Sequence, residues 1–270
     1  MGYYEKRIDK AFENAVIIDA DSYPGIVFFS DCHRGRGTWN DSFLYNKIIY
    51  QAALDYYWQK GFAYVELGDG DELWENRDFM QIYEVHKDIF ETLRRFLAED
   101  RLYMIFGNHD KAKAKVNKYI QYWQSAIINS GSGEEKIYLL HGHQADIFND
   151  RFWYIARWMV RYLWKPLELA GFKDPTSAAR NYGKRSTVEN RLIKWASKKN
   201  RNIMSGHTHR PTIINTDRIK YINTGSCVHP NGVTCIELFE SRLRLIRWTK
   251  CVDKNSYVYV CRQVLKEMKL

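Results

Sequence analysis

The chain has 270 residues, enough for one large domain or for one domain with an inserted cap, an arrangement expected ahead of two independent domains. An apolar share of 45% and an aromatic share of 15% place it among globular proteins, and a formal charge of +9 favours anionic partners such as phosphates, nucleic acid or an acidic membrane surface. No stretch approaches the ~18 to 20 apolar residues of a spanning helix, and residues 1–16 carry charges where a signal peptide needs an apolar run, so a cytoplasmic protein without a transmembrane segment is expected.

The first two thirds alternate short β-rich runs with helical ones, the pattern of an α/β sandwich. Gly25 to Ser30 (GIVFFS) leads into Asp31, and Ala63 to Leu67 (AYVEL) leads into Gly68 and Asp69. Leu102 to Phe106 (LYMIF) leads into Gly107, Ile137 to Leu140 (IYLL) into His141, and Asn202 to Ser205 (NIMS) into Gly206. Each run ends at a glycine or a candidate metal ligand, and in open α/β sheets ligands bind at the carboxyl ends of strands. Helices are expected over Asp41 to Lys60 and over Phe79 to Ala98, the second with apolar residues at Ile82, Val85, Ile89, Leu93 and Phe96. A third is expected over Ser186 to Lys199.

After His209 the pattern turns to Thr212 to Asn215, Lys220 to Ile222, Val233 to Phe239 and Arg242 to Thr249, read as antiparallel strands of a second sheet packed on the first. The five cysteines are odd in number and form no C-x-x-C pair, so reduced, mostly buried thiols are expected.

Six of the eight histidines fall just after the strand-like runs. In Asp31-Cys32-His33 the outer two residues lie two apart, so on extended backbone they point the same way and can grip one ion, while Cys32 faces away. Gly68-Asp69-Gly70-Asp71-Glu72 adds a carboxylate at a strand end, able to bridge two ions about 3.5 to 4 Å apart. Gly107-Asn108-His109-Asp110 sets an amide oxygen beside an imidazole. His141-Gly142-His143 and Gly206-His207-Thr208-His209 complete the set. His86 and His229 are read as structural or surface residues.

These blocks, D-x-H, GD-x-x-D/E, GNH-D/E, H-G-x and GH-x-H in that order between Val27 and Ser226, resemble the signature of the calcineurin-like metallophosphoesterases. The resemblance implies a four-layer α/β/β/α sandwich of two mixed sheets. It implies one metal held by Asp31, His33, Asp69 and His209 and a second by Asp69, Asn108, His141 and His207. Manganese suits this mixed N/O set, as do iron and zinc. Two such ions would activate a shared water for in-line attack on a phosphate and neutralise the phosphoryl oxygens. By the same resemblance His109 would assist the leaving oxygen with Glu72 as its orienting partner. Some members of the family are scaffolds without activity, and these lose ligands or the GNH histidine. Here every block is filled.

Residues 144–205 form a basic, aromatic segment expected to be a helical cap within a single domain of residues 1–270, with 13 Lys and Arg against 5 Asp and Glu, a net of +8. Arg157, Arg161 and Lys165 are four apart and share one helical face, with Trp158 and Trp164 flanking them and Phe152, Ile155, Met159, Tyr162 and Leu163 opposite. That row, with His143, is the candidate substrate-binding set, and the alternative is a solvated basic face over a packed apolar one. The insertion, the GHTHRP form at Gly206 to Pro211, Glu72 and the Asn223 to Ser226 segment resemble the UDP-2,3-diacylglucosamine pyrophosphatase group. His109 departs from that group, which typically has arginine there. A nucleotide-lipid pyrophosphate, with lipid or membrane contact through the cap, is therefore one reading of the substrate. Hydrolysis of nucleotides or nucleic acid, favoured by the positive charge, is the other.

Overall fold

The computed structural model describes residues 2–39, 41–111, 120–129, 135–146, 150, 158–159, 162 and 182–270. In chain order the helices are α1 (Tyr3–Ala11), α2 (Lys47–Gln59), α3 (Phe79–Val85), α4 (Lys87–Ala98) and α5 (Tyr182–Lys199). The strands are β1 (Val16–Asp19), β2 (Gly25–Phe29), β3 (Ala63–Leu67), β4 (Leu102–Ile105), β5 (Tyr122–Trp123), β6 (Ser125–Asn129) and β7 (Lys136–Leu140). They continue with β8 (Asn202–Ser205), β9 (Thr212–Asn215), β10 (Lys220–Asn223), β11 (Val233–Phe239), β12 (Arg242–Val252) and β13 (Val258–Lys269).

Two mixed sheets result, one ordered β1-β6-β7-β8-β10-β9 and the other β13-β12-β11-β2-β3-β4-β5. The C-terminal strands do not form a sheet of their own, as the chain order suggests. β9 and β10 extend the first sheet, through parallel pairing of β10 with β8, whereas β11 adds antiparallel to β2 in the other. Alternation of side chains along β2 shows why the sheets stack. Ile26 and Phe28 join Ala126, Ile128, Leu139 and Ile222 in the core between the sheets, whereas Val27 and Phe29 pack outward with Tyr50, Leu54, Leu93 and Phe96 of α2 and α4. A third core places Ile8 of α1 and Leu192 and Trp195 of α5 against Ile203 and Tyr221 on the far side of the first sheet. The layers therefore run α/β/β/α. Burial of each such side chain stabilises the fold by about 1.5 to 3 kcal/mol, so Phe96→Ala, which also leaves a cavity, costs about 3 to 5 kcal/mol.

The helix expected over Phe79 to Ala98 is two helices, because His86 leaves helical geometry (φ −115°, ψ 28°). Its imidazole is buried, with Nε2 3.0 Å from the Gly35 carbonyl and 3.4 Å from Asp41. The helix expected from Asp41 opens as a 3-10 turn at Ser42–Asn46 before α2 begins. The cysteine expectation holds for Cys32, Cys227 and Cys235, which are buried and free. It fails for Cys251 and Cys261, which form a disulfide across β12 and β13 at a Cα separation of 5.9 Å. The ladder pairs Cys251 with Tyr259 and Cys261 with Thr249, which makes the two cysteines diagonal neighbours on one face of the hairpin, a register that the sequence spacing alone does not reveal.

Candidate metal centre

β2, β3 and β4 run parallel in one sheet and β7 and β8 run parallel in the other. Their carboxyl ends open toward one edge of the sandwich, and every block singled out in the sequence lies in the loop after one of these strands. The loops depart abruptly. Asp31, His33, Asp69, His207 and His209 all have positive φ, between 47° and 66°, a region that costs most residues about 1 to 3 kcal/mol. Gly68 and Gly107 permit the closest approaches: a Cβ on Gly68 would meet His141 Nδ1 at 2.6 Å, and one on Gly107 would meet Asp69 Oδ1 at 2.1 Å.

Two groups of side chains face each other across Asp69. Asp31, His33 and His209 form one, with His209 Nε2 3.1 Å from Asp31 Oδ1 and 3.3 Å from His33 Nε2. Asp69, His141 and His207 form the other, with His141 Nε2 3.0 Å from Asp69 Oδ2. The same Asp69 oxygen lies 4.0 Å from His33 Nε2, so it stands between the groups. Donor atoms held about 2.0 to 2.3 Å from a shared ion sit at such mutual distances. A direct test of fit is whether polar atoms are left unpartnered where ions would sit. Asp31 Oδ1, Asn108 Oδ1 and His141 Nε2 are buried and make no hydrogen bond, which fits divalent cations at both positions.

A surrounding shell orients these groups. Glu72 spans two imidazoles, with Oε2 2.8 Å from His33 Nδ1 and Oε1 2.8 Å from His109 Nδ1. His141 Nδ1 lies 2.7 Å from the Leu67 carbonyl, which turns Nε2 toward Asp69. The His109 ring stacks on Trp74 at 4.1 Å, and Trp74 Nε1 donates to the Asn108 carbonyl at 2.6 Å. Asp110 accepts from the Gly107 and Gly70 amides at 2.7 and 2.9 Å, and so ties the β3 and β4 loops together.

The carboxylates and imidazoles of the site perturb one another strongly. Burial opposes ionisation of Asp31, yet the His209 and His141 charges draw its carboxyl down to about 2. Asp69 and Glu72 are likewise held below the usual range against burial, Asp69 by His141 and His109 and Glu72 by His109 and His33. The carboxylates return the effect: despite burial, Glu72 and Asp69 lift His33 to about 10, and Asp69 lifts His141 to about 9. Burial pushes His209 down, and His143 well down with help from the His141 and His207 charges.

Six of the seven residues expected as ligands, together with Glu72 and His109, thus converge, and the seventh, Asn108, lies next to His109 with its side-chain oxygen buried and without a hydrogen bond. His143 is 2% exposed, with its ring 5.5 Å from that of His141, next to the centre. Arg157, Arg161 and Lys165 lie outside the described residues. Sequence reasoning passed over Trp74, Asp110 and Asp146, the last with Oδ2 3.4 Å from His207 Nε2. It also passed over Arg34, whose fully buried guanidinium bonds Asp71 at 2.6 Å and Glu66 at 2.9 Å and fastens the β2 loop to the β3 loop. Their signal was adjacency: each sits inside or beside a block already marked as chemical.

Comparison with known proteins follows this geometry. A family model described as the calcineurin-like phosphoesterase superfamily domain matches residues 26–238. Comparison with curated proteins gives no match. Among solved structures, the chain is similar to a predicted phosphoesterase from Streptococcus pneumoniae TIGR4 (18% identity, TM-score 0.39, covering 89% of this chain and 97% of that one). It is also similar to Yfce, a phosphoesterase from E. coli (14% identity, TM-score 0.41, 90% and 100%). A third is Vps29 from Chaetomium thermophilum (13% identity, TM-score 0.47, 91% and 96%). None of these three likenesses bears on activity. The family match contains all five blocks and most of the chain, which therefore belongs to the calcineurin-like phosphoesterase superfamily, a family of metal-dependent phosphoesterases.

Proposed function

We propose that this chain hydrolyses a phosphate ester or pyrophosphate at a centre of two divalent cations, one held by Asp31, His33, Asp69 and His209 and the other by Asp69, Asn108, His141 and His207. The observation that carries the reading is that three donor atoms at the strand ends, Asp31 Oδ1, Asn108 Oδ1 and His141 Nε2, are buried without a hydrogen bond, while Asp31 and His141 belong to the two ligand groups that meet at Asp69. When bound, the two cations activate water and neutralise phosphoryl oxygens. The chain supplies the rest. Glu72 occupies His109 Nδ1, so Nε2 is the atom that passes a proton to the leaving oxygen, and the Trp74 face prevents the ring from turning away.

The sequence placed the cap over 144–205, but α5 packs on the first sheet and β8 is one of its strands, so only the part of that segment before α5 is proposed as the cap that selects substrate, with a UDP-diacylglucosamine-like nucleotide-lipid as the leading candidate. Supporting this, Tyr162 hydrogen-bonds Arg77, three residues beyond Trp74, and packs 5.7 Å from Trp158. These two rings are 51% and 60% exposed, which suits an apolar moiety brought beside the site. Among the described residues no helix is long and apolar enough to cross a membrane. Manganese is the first choice of metal.

The test compares hydrolysis of a UDP-linked lipid, bis-p-nitrophenyl phosphate and DNA by protein loaded with manganese, iron or zinc, with metal content measured in parallel. Two equivalents of metal and preferred turnover of the UDP-linked lipid are expected. Preference for DNA would replace the nucleotide-lipid by nucleic acid, and an inert, metal-free protein would remove the enzymatic reading.

A further inference from the structure

The four candidate histidine ligands are not oriented alike. His33 and His141 each use Nδ1 for a partner behind the centre, Glu72 and the Leu67 carbonyl, and so present Nε2 forward. In His207 the opposite nitrogen is engaged: Nε2 faces Asp146 Oδ2 at 3.4 Å. Asp146 is 8% exposed and lies outside the group that Asp69, His141 and His207 form within 4.8 Å of one another. It stands behind His207. A buried carboxylate in that place accepts the Nε2 proton and fixes the tautomer whose Nδ1 lone pair is free.

We infer that Asp146 is a positioning residue for the metal centre, which holds His207 with Nε2 protonated so that His207 ligates through Nδ1, unlike His33 and His141. The inference rests on the two-metal reading above. Asp146 is well braced for such a role. Its amide donates to the His143 carbonyl at 2.9 Å and its carbonyl accepts from the Asp150 amide at 2.9 Å. Asp150 is in turn gripped by Arg7 of α1 through two bonds of 2.5 and 2.7 Å. Next to it, the Ala145 carbonyl accepts from Arg191 of α5 at 2.8 Å. The carboxylate is therefore carried on backbone fixed by two helices, and a displacement of either would reach His207 through it.

The experiment pairs metal titration with nitrogen NMR. Wild type, Asp146→Ala and Asp146→Asn are titrated with manganese and zinc, and circular dichroism checks that each variant folds. Asp146→Ala is expected to weaken one of the two sites about 10- to 100-fold and leave the other unchanged. Asp146→Asn, whose amide oxygen still accepts from Nε2, is expected to recover part of that loss. Equal affinities at both sites in wild type and Asp146→Ala would overturn the proposal. In histidine-labelled wild type, zinc-loaded or metal-free at alkaline pH, long-range nitrogen–proton correlations report the His207 tautomer. A proton on Nε2 is expected, and a proton on Nδ1 overturns the proposal. Should wild type bind fewer than two ions, the two-metal reading fails while the tautomer still decides the role of Asp146. If Asp146→Ala does not fold, Asp146→Asn and the wild-type tautomer carry the test.

Discussion

The two halves of the centre are built differently. The loops after β2, β3 and β4 hold one another: Arg34 clamps Asp71 and Glu66, Asp110 caps both Gly70 and Gly107, and Glu72 bridges His33 and His109. The loops after β7 and β8 depend on elements outside themselves. Asp146 stands behind His207, and Glu189 of α5 takes Arg210 at 3.0 Å and Thr208 at 2.9 Å, just beyond His207 and His209. One half is a self-contained network inside a single sheet. The other is fastened to elements outside itself, to α1 through Asp146, Asp150 and Arg7 and to α5 through Glu189 and Arg191.

Four substitutions probe this asymmetry, from the largest expected effect to the smallest. Asp69→Ala removes the residue shared by both halves, and it should release both ions and lower turnover about a thousandfold or more, read by metal analysis and initial rates. His109→Ala should keep both ions and lower kcat about 10²- to 10⁴-fold, with the greatest loss on substrates with poor leaving groups. Retained rates there would shift the proton donor elsewhere. Glu72→Gln weakens the first half alone, and an approximately 10- to 100-fold loss of metal affinity is expected at the His33 site with the His141 site untouched. Arg210→Ala cuts a tie to α5, which should lower stability to denaturant by about 1 to 3 kcal/mol, because Glu189 is left buried with Thr208 as its remaining side-chain partner among the described residues. If Glu72→Gln weakened both metal sites equally, the halves would not be independent.

Much of the site could be read from the chain, and for a specific reason. Strand runs end abruptly in residues that a core does not need, so Asp31, Asp69, Asn108, His141 and His207 stood out as polar groups at the ends of apolar segments. The runs Ala63–Leu67, Asn202–Ser205, Thr212–Asn215 and Val233–Phe239 coincide with strands residue for residue. Illegible features depend on distant partners. β1 and β6 are short apolar runs whose strand character comes from pairing with each other, Val16 with Ala126 through Asp19 with Asn129. In β13 the charged residues hide the pattern, since Arg262 is neutralised by Glu237 and Glu267 by Arg244, partners that no local window contains. Sheet membership failed similarly: nothing in Lys220–Asn223 announces parallel pairing with β8. The roles of Asp146 and Arg34 also appear only when loops from separate parts of the chain are brought together.

The left-handed backbone at five of the candidate ligands carries a consequence for how such a protein tolerates change. These residues occupy conformations that glycine adopts freely, so each one keeps its side chain at the expense of a relaxed chain. His209→Gly is accordingly expected to raise the melting temperature of metal-free protein even as it empties the His33 site. Function and thermal robustness pull in opposite directions at these positions. Where a ligand at one of these five positions gives way to glycine, the loop relaxes as the ion is lost, and the sandwich underneath is expected to outlast the chemistry.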